Sequence, residues 1–183
     1  MPNVLVPLAH GCEELEAVTL VDVLRRGGIE VVAAGLEDGP VKGSRGVVLV
    51  PDTTLDKALE AGDFDMVALP GGMGGTHALA NDPRVEKLLH HLAAEGKWVA
   101  AICAAPMVLA KAGLLDGKKF TVYPGVLEDG DTRGGRCTGA AVEVDGRVAT
   151  SRGPGTAMDF ALCLVELLAG RETRNKVEEG LVR

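Results

Sequence analysis

Aromatic side chains make up only 3% of the 183 residues, which excludes an interior of stacked rings and leaves Val, Leu, Ile and Ala to fill the core. Positive charge is also short. Asp and Glu number 26 against 19 Lys and Arg, and the net charge of −7 repels a phosphate backbone, so nucleic acid is excluded as a partner. The four cysteines, Cys12, Cys103, Cys137 and Cys163, contain no C-x-x-C pair. That pattern fits neither a secreted disulfide framework nor a zinc site, and it predicts reduced thiols and no metal. Nowhere do the roughly 18 consecutive apolar residues of a membrane span occur. The start, MPNVLVPLAHG, carries no basic leader, so a soluble cytoplasmic protein without a membrane partner is expected. Repeats, linkers and low-complexity tracts are missing too, and one domain over residues 1–183 fits the length.

What is present alternates between strand and helix. Residues 4–8 form a short continuous apolar run closed by Gly11, the pattern of a strand buried on both faces. Residues 13–26 then read as a helix, with Leu15, Val18, Thr19, Asp22 and Val23 near its inner stripe, acidic residues first and Arg25-Arg26 last. Strands are predicted over 29–34, 47–50 and 64–69, and a short helix capped by residues 52–54 runs through Glu60. The glycine-rich run 70–75 predicts a loop with exposed amides. A helix opens at Pro83 after Asn81 and Asp82. Residues 98–102 form the next strand, 104–112 a helix and 120–123 a short strand. Asp145-Gly146 turns a hairpin, and Thr156 caps a heavily buried helix to Ala169 that contains Cys163. Strand–helix alternation with unbroken apolar strands predicts an α/β, doubly wound and mostly parallel sheet sandwiched by helices.

Ligands of such sheets bind beyond the carboxyl ends of the strands. The loops there hold Gly11-Cys12-Glu13-Glu14-Leu15-Glu16, Gly71-Gly72-Met73-Gly74-Gly75, Cys103-Ala104-Ala105-Pro106 and Ser151-Arg152-Gly153-Pro154-Gly155-Thr156. Cys103 falls on a strand-to-helix junction among small residues, the setting of a strained nucleophile elbow. Helix amides directed at its sulfur predict a lowered thiol pKa. The amides of Gly71 and Gly72, with that of Ala104, can hold an oxyanion. No histidine follows Cys103, so Glu16 is the proton partner, and partial burial predicts a raised pKa for it. Cys12 lies four residues before Glu16 and is a candidate to resolve an oxidised Cys103. The glycine loop lacks the Lys-Ser/Thr of a P-loop.

Together G-C-E-E-L-E-A-V, L-P-G-G, A-A-I-C-A-A-P and T-S-R-G-P-G-T-A resemble the ThiJ/PfpI superfamily, and in it the parkinsonism-associated protein deglycase branch with its close bacterial homologues. The resemblance spans about residues 4–168 in the same order. It implies a flavodoxin-like sandwich, a homodimer without cofactor, an oxidation-sensitive nucleophile at Cys103, a carboxylic acid partner at Glu16 and oxyanion amides at Gly72 and Ala104. It also implies that Arg25, Arg26 and Arg45 lie near the dimer interface. Two departures stand out. Tyr123, followed by Pro124, occupies the position where members of the human type carry a histidine, and Ala104 stands where peptidase members place one. Proteolysis is therefore discounted, and Tyr123 and Arg152 are expected to shape the pocket wall.

The resemblance implies a glyoxalase or deglycase acting on a small dicarbonyl such as methylglyoxal, or on a glycated protein or thiol. The same pair also suits an oxidative-stress sensor or redox-regulated chaperone in which Cys103 is oxidised to sulfinate. Residue types alone do not separate these two uses.

Overall fold

The apolar runs at residues 4–8, 66–69 and 98–102 become strands covered on both faces. The computed structural model describes residues 1–128 and 130–183. Its elements are β1 (Asn3–Leu8), α1 (Glu14–Arg26), β2 (Glu30–Gly35), β3 (Val41–Lys42), β4 (Val48–Leu49), β5 (Thr53–Thr54), α2 (Leu55–Ala61), β6 (Met66–Leu69), α3 (Met73–Ala80), α4 (Pro83–Ala94), β7 (Trp98–Ile102), α5 (Pro106–Lys111), β8 (Lys119–Phe120), β9 (Arg136–Cys137), β10 (Val142–Asp145), β11 (Val148–Ser151), α6 (Ala157–Ala169) and α7 (Arg171–Gly180).

The main sheet has seven strands in the order β10-β11-β7-β6-β1-β2-β5. Only the β10–β11 pair is antiparallel. This is the predicted doubly wound, flavodoxin-like sheet. Side-chain alternation sends Val4, Val6 and Leu8 of β1 to one face, where Leu20 and Leu24 of α1 and Phe160 and Leu164 of α6 cover them. Leu5 joins Val67, Leu69 and Val99 on the other face, under Leu89 and Leu92 of α4 and Leu109 of α5. β1 lies between β2, which follows it, and β6, so strand order reverses there and opens a crevice at the carboxyl ends. Among the described residues no helix is long and apolar enough to cross a membrane.

Several elements differ from the sequence expectation. The inward face of α1 is Glu16, Ala17, Leu20, Val23 and Leu24, with Glu14 also buried, while Leu15 and Val18 are half exposed. The stripe is rotated because its first inward residue is a glutamate, which apolar periodicity passes over. Residues 70–75 are not one loop, since α3 begins at Met73. Gly75 serves close packing: a Cβ there would lie 2.7 Å from Cys12 Cα. Val48 and Leu49 leave the main sheet to pair with β3 as a small hairpin, and β5 takes the edge beside β2. There Asp52 Oδ2 accepts the Ala33 amide at 2.9 Å. The predicted strand over 120–123 shortens to β8, and the helix after Cys103 starts only at Pro106. Cys163 is half-buried rather than core.

Candidate active site

Three chain segments meet where β1, β6 and β7 end. The Glu13 amide donates to the Gly71 carbonyl at 2.8 Å, fastening the loop after β1 to the loop after β6. Cys103 follows β7 with φ of 64°, in the left-handed region that costs a side-chain-bearing residue about 1–3 kcal/mol. Its surroundings over-determine that conformation. The Cys103 amide donates to the Ser151 carbonyl at 2.9 Å, and its own carbonyl accepts the Tyr123 amide at 2.8 Å. The thiol is thereby turned out over the crevice, 8% exposed, with the amides of Gly72 and Ala104 pointing at the sulfur.

Glu16 reaches the same point from α1 and is fully buried. Its Oε2 accepts the Gly71 amide at 2.7 Å, and its Oε1 is buried without a hydrogen-bond partner of good geometry. The carboxyl nevertheless lies close enough to the thiol for each to perturb the other. Gly71 passes between them: a Cβ there would sit 2.7 Å from both Cys103 Cβ and Glu16 Oε2, so no larger residue fits without displacing one of the two. Gly72, with φ of 83°, then turns the chain so that its amide faces the sulfur.

Burial pushes the Glu16 carboxyl up to about 7, against the opposing pull of the Gly71 amide and the thiol. Burial also pushes the Cys103 thiol up to about 12, reinforced by the charge of Glu16 and only partly offset by the Gly72 and Ala104 amides. The expected lowering of the thiol pKa is therefore corrected. α5 is short and opens on Pro106, which has no N–H to offer, and the nearest charge is negative. The two groups behave as a pair that carries one negative charge readily and two with difficulty. With the proton on Glu16, its repulsion of the thiolate disappears.

Above the thiol lies a cleft of about 500 Å³. Glu13, Ser44 and Arg45 form its polar side, and Met73, Tyr123, Val126 and Pro154 its apolar side. Of the residues singled out in the sequence, Cys103, Glu16, Gly71, Gly72 and Ala104 come together at the centre, and Tyr123 and Arg45 line the cleft. The Tyr123 ring packs on Gly153, where a Cβ would meet it at 3.4 Å. Arg152 does not line the cleft; its Nη1 donates to the Gly139 carbonyl at 2.8 Å. Arg25 pairs with Asp52 at 2.6 Å beside a separate surface hollow of about 300 Å³, and Arg26 pairs with Asp22 at 3.0 Å. Cys12 is buried against Gly75, and burial followed by the charge of Glu14 pushes its thiol up to about 11. Glu13, Met73 and Pro154 lay in the loops expected at the strand ends but were given no role, and Ser44 and Val126 escaped the sequence reading. The signal for Ser44 was its place beside Arg45 in G-S-R-G.

The model of the DJ-1/PfpI family matches residues 2–167. The chain belongs to that family. Over 181 residues it is 45% identical to Protein DJ-1alpha of Drosophila melanogaster, covering 98% of this chain and 83% of that protein. Identity is 38% over 179 residues with a DJ-1/PfpI relative named glutathione-independent glyoxalase DJR-1.2 of Caenorhabditis elegans, covering 97% of this chain and 94% of that one. The crystal structure of Drosophila melanogaster DJ-1beta is similar with a TM-score of 0.91 at 44% identity, covering 99% of this chain and 97% of that chain. The resemblance read from the four motifs is thus borne out at the level of the family, whose members include a protein named for glyoxalase chemistry.

The raised Glu16 pKa has a stability consequence with a definite sign. An unfolded glutamate titrates near 4.3, so the stability held by the buried, protonated carboxyl is full below that pH and is lost as pH rises through about 7. Each tenfold change in acidity is worth about 1.4 kcal/mol, so the full loss approaches about 4 kcal/mol. Glu16→Gln removes the ionisation, so urea unfolding should show the variant gaining on the parent by about 2–3 kcal/mol between pH 4.5 and pH 8. Parallel stability curves for the two proteins would contradict the raised pKa.

Proposed function

We propose that the protein is a cofactor-independent glyoxalase or deglycase acting on reactive dicarbonyls such as methylglyoxal, with Cys103 as nucleophile and Glu16 as proton carrier. The observation that carries this is the buried Glu16 carboxyl beside a thiol held at φ of 64° under two convergent amides. A strained, amide-flanked thiol suits attack on a carbonyl carbon, and a carboxyl titrating near neutrality suits both taking and returning a proton.

In this reading the thiolate adds to the aldehyde carbon of the 2-oxoaldehyde while Glu16 holds the proton released by the thiol. The C–S bond forms as the carbonyl π bond becomes an alkoxide, which the Gly72 and Ala104 amides steady. That oxygen takes up a proton to give the hemithioacetal. Glu16, now ionised, removes the hydrogen from the thiol-bearing carbon as a proton, and the electron pair passes through an enediol to the neighbouring carbon, which receives the proton back. The product is a thioester on Cys103. Water hydrolyses it to the 2-hydroxy acid and frees the thiolate, so methylglyoxal plus water gives lactic acid with no net oxidation. A glycated amine or thiol enters at the same carbon, with the amine or thiol as leaving group. The proposal includes a homodimer with Arg25, Arg26 and Arg45 near its contact, in keeping with the half-exposed Leu15 and Val18 on α1; a monomeric mass by sedimentation at micromolar concentration would remove that part.

A second reading rests on the same geometry. A protonated Glu16 beside an exposed edge of sulfur can donate a hydrogen bond to a Cys103 sulfinate, the state expected of an oxidant sensor.

Methylglyoxal consumption by Cys103→Ser and Glu16→Ala should fall by about 10²–10⁴-fold relative to the parent, the scale of losing a nucleophile or a positioned acid–base group. Turnover at the parent rate in both variants would overturn the mechanism. For the sensor reading, intact mass after mild peroxide should show two oxygens gained at Cys103 before the other cysteines react; preferential oxidation of exposed Cys137 would count against it.

A further inference from the structure

The motif G-C-E-E-L-E places two glutamates ahead of the one the mechanism uses, and the second is buried. Glu14 is 7% exposed, an unusual site for a carboxylate with no cationic partner, since no Lys, Arg or His nitrogen pairs with it among the described residues. Its partners all belong to the turn between β3 and β4. Oε1 accepts the Arg45 amide at 2.8 Å and the Val47 amide at 3.3 Å, and Oε2 accepts the Ser44 hydroxyl at 3.1 Å. The same hydroxyl is 2.9 Å from Glu13 Oε2, so its one proton is shared between the two carboxylates. Gly43 closes the other side: a Cβ there would lie 2.6 Å from Glu14 Oε2. Although burial works against ionisation, these donors and the Glu14 amide hold the carboxyl below its ordinary range.

The β3–β4 hairpin has no partner strand in the main sheet, and a two-stranded ribbon of this length is marginal in water. Something else must hold it. Backbone bonds from Gly11 to the Lys42 carbonyl and from Ser44 to the Cys12 carbonyl, both at 2.8 Å, attach its β3 side to the loop after β1. Glu13 also bonds Ser44 at the apex, but among the described residues Glu14 alone accepts the Arg45 and Val47 amides. That apex carries Ser44 and Arg45, which form the polar side of the cleft facing Cys103.

We infer that Glu14 is a positioning residue: its carboxylate latches residues 43–47 over the crevice and so sets the cleft wall against which the substrate is placed. Its hydrogen bonds go to the hairpin turn and not to the thiol or Glu16, so it acts on placement rather than on proton transfer. The inference rests on Cys103 being the reactive centre, but its test does not depend on turnover.

In Glu14→Ala, amide exchange at Ser44, Arg45 and Val47 should speed up by about tenfold or more while β1 amides keep the parent rate, the pattern of a local opening. Glu14→Gln keeps one acceptor oxygen and should restore slow exchange at Arg45, separating the latch from a general loss of folding. With methylglyoxal, KM should rise by about tenfold in Glu14→Ala while kcat changes by less than about threefold, as expected when placement suffers and chemistry does not. Exchange at residues 44–47 as slow as in the parent, or exchange raised equally throughout the chain, would overturn the latch. A fall in kcat at constant KM would overturn it as well. If the parent consumes no methylglyoxal, the proposed function falls and exchange alone decides the latch.

Discussion

The site depends on one buried hydrogen bond, from the Gly71 amide to Glu16 Oε2 at 2.7 Å. It ties the end of β6 to the first turn of α1 and thereby fixes both the rotation of the helix and the position of the carboxyl. A side chain at residue 71 would enter the space between thiol and acid, so the contact exists only because glycine is there. The same bond satisfies one carboxylate oxygen and leaves the other buried beside the thiol without a partner. An unsatisfied buried oxygen is costly as an anion and far cheaper as an O–H donor. That asymmetry is the physical source of the raised Glu16 pKa and of its suitability as a proton carrier.

The remaining parts of the site are arranged around that pair. The sheet reverses its strand order at β1, bringing the ends of β1, β6 and β7 to a common crevice. The left-handed backbone at Cys103, anchored from Ser151 and Tyr123, turns the thiol outward. The hairpin apex held by Glu14 supplies the polar wall, and Tyr123 supplies part of the apolar one. Two glutamates two residues apart on one helix thus have opposite acidities. Glu14 is surrounded by donors and stays ionised, whereas Glu16 has one donor and a thiol and holds its proton toward neutrality.

The central strands β1, β2, β6 and β7 were legible in the sequence because they are continuous apolar runs, whereas edge strand β5 is only Thr53–Thr54 and read as a helix cap. Cys103 was legible because an elbow demands small neighbours, and Ala101, Ala104 and Ala105 supply them. The face of α1 was not, since one of its fully buried residues is a glutamate and hydrophobic periodicity cannot see a buried acid. The strands of the β3–β4 hairpin are two residues each, too short for any alternation to register. Glu14 looked like an ordinary first-turn charge, a position helices favour whether or not the carboxylate holds a distant loop. The direction in which the thiol pKa moves was hidden for a related reason: it depends on burial and on a neighbouring charge from another element, which residue order does not display.

A shared proton at the centre can be observed at the acid itself. Titrating the Glu16 carboxyl carbon by ¹³C NMR in the intact protein should give a midpoint near 7. A single transition at the ordinary value, near about 4.3, would show Glu16 ionised throughout the neutral range and would contradict the shared proton.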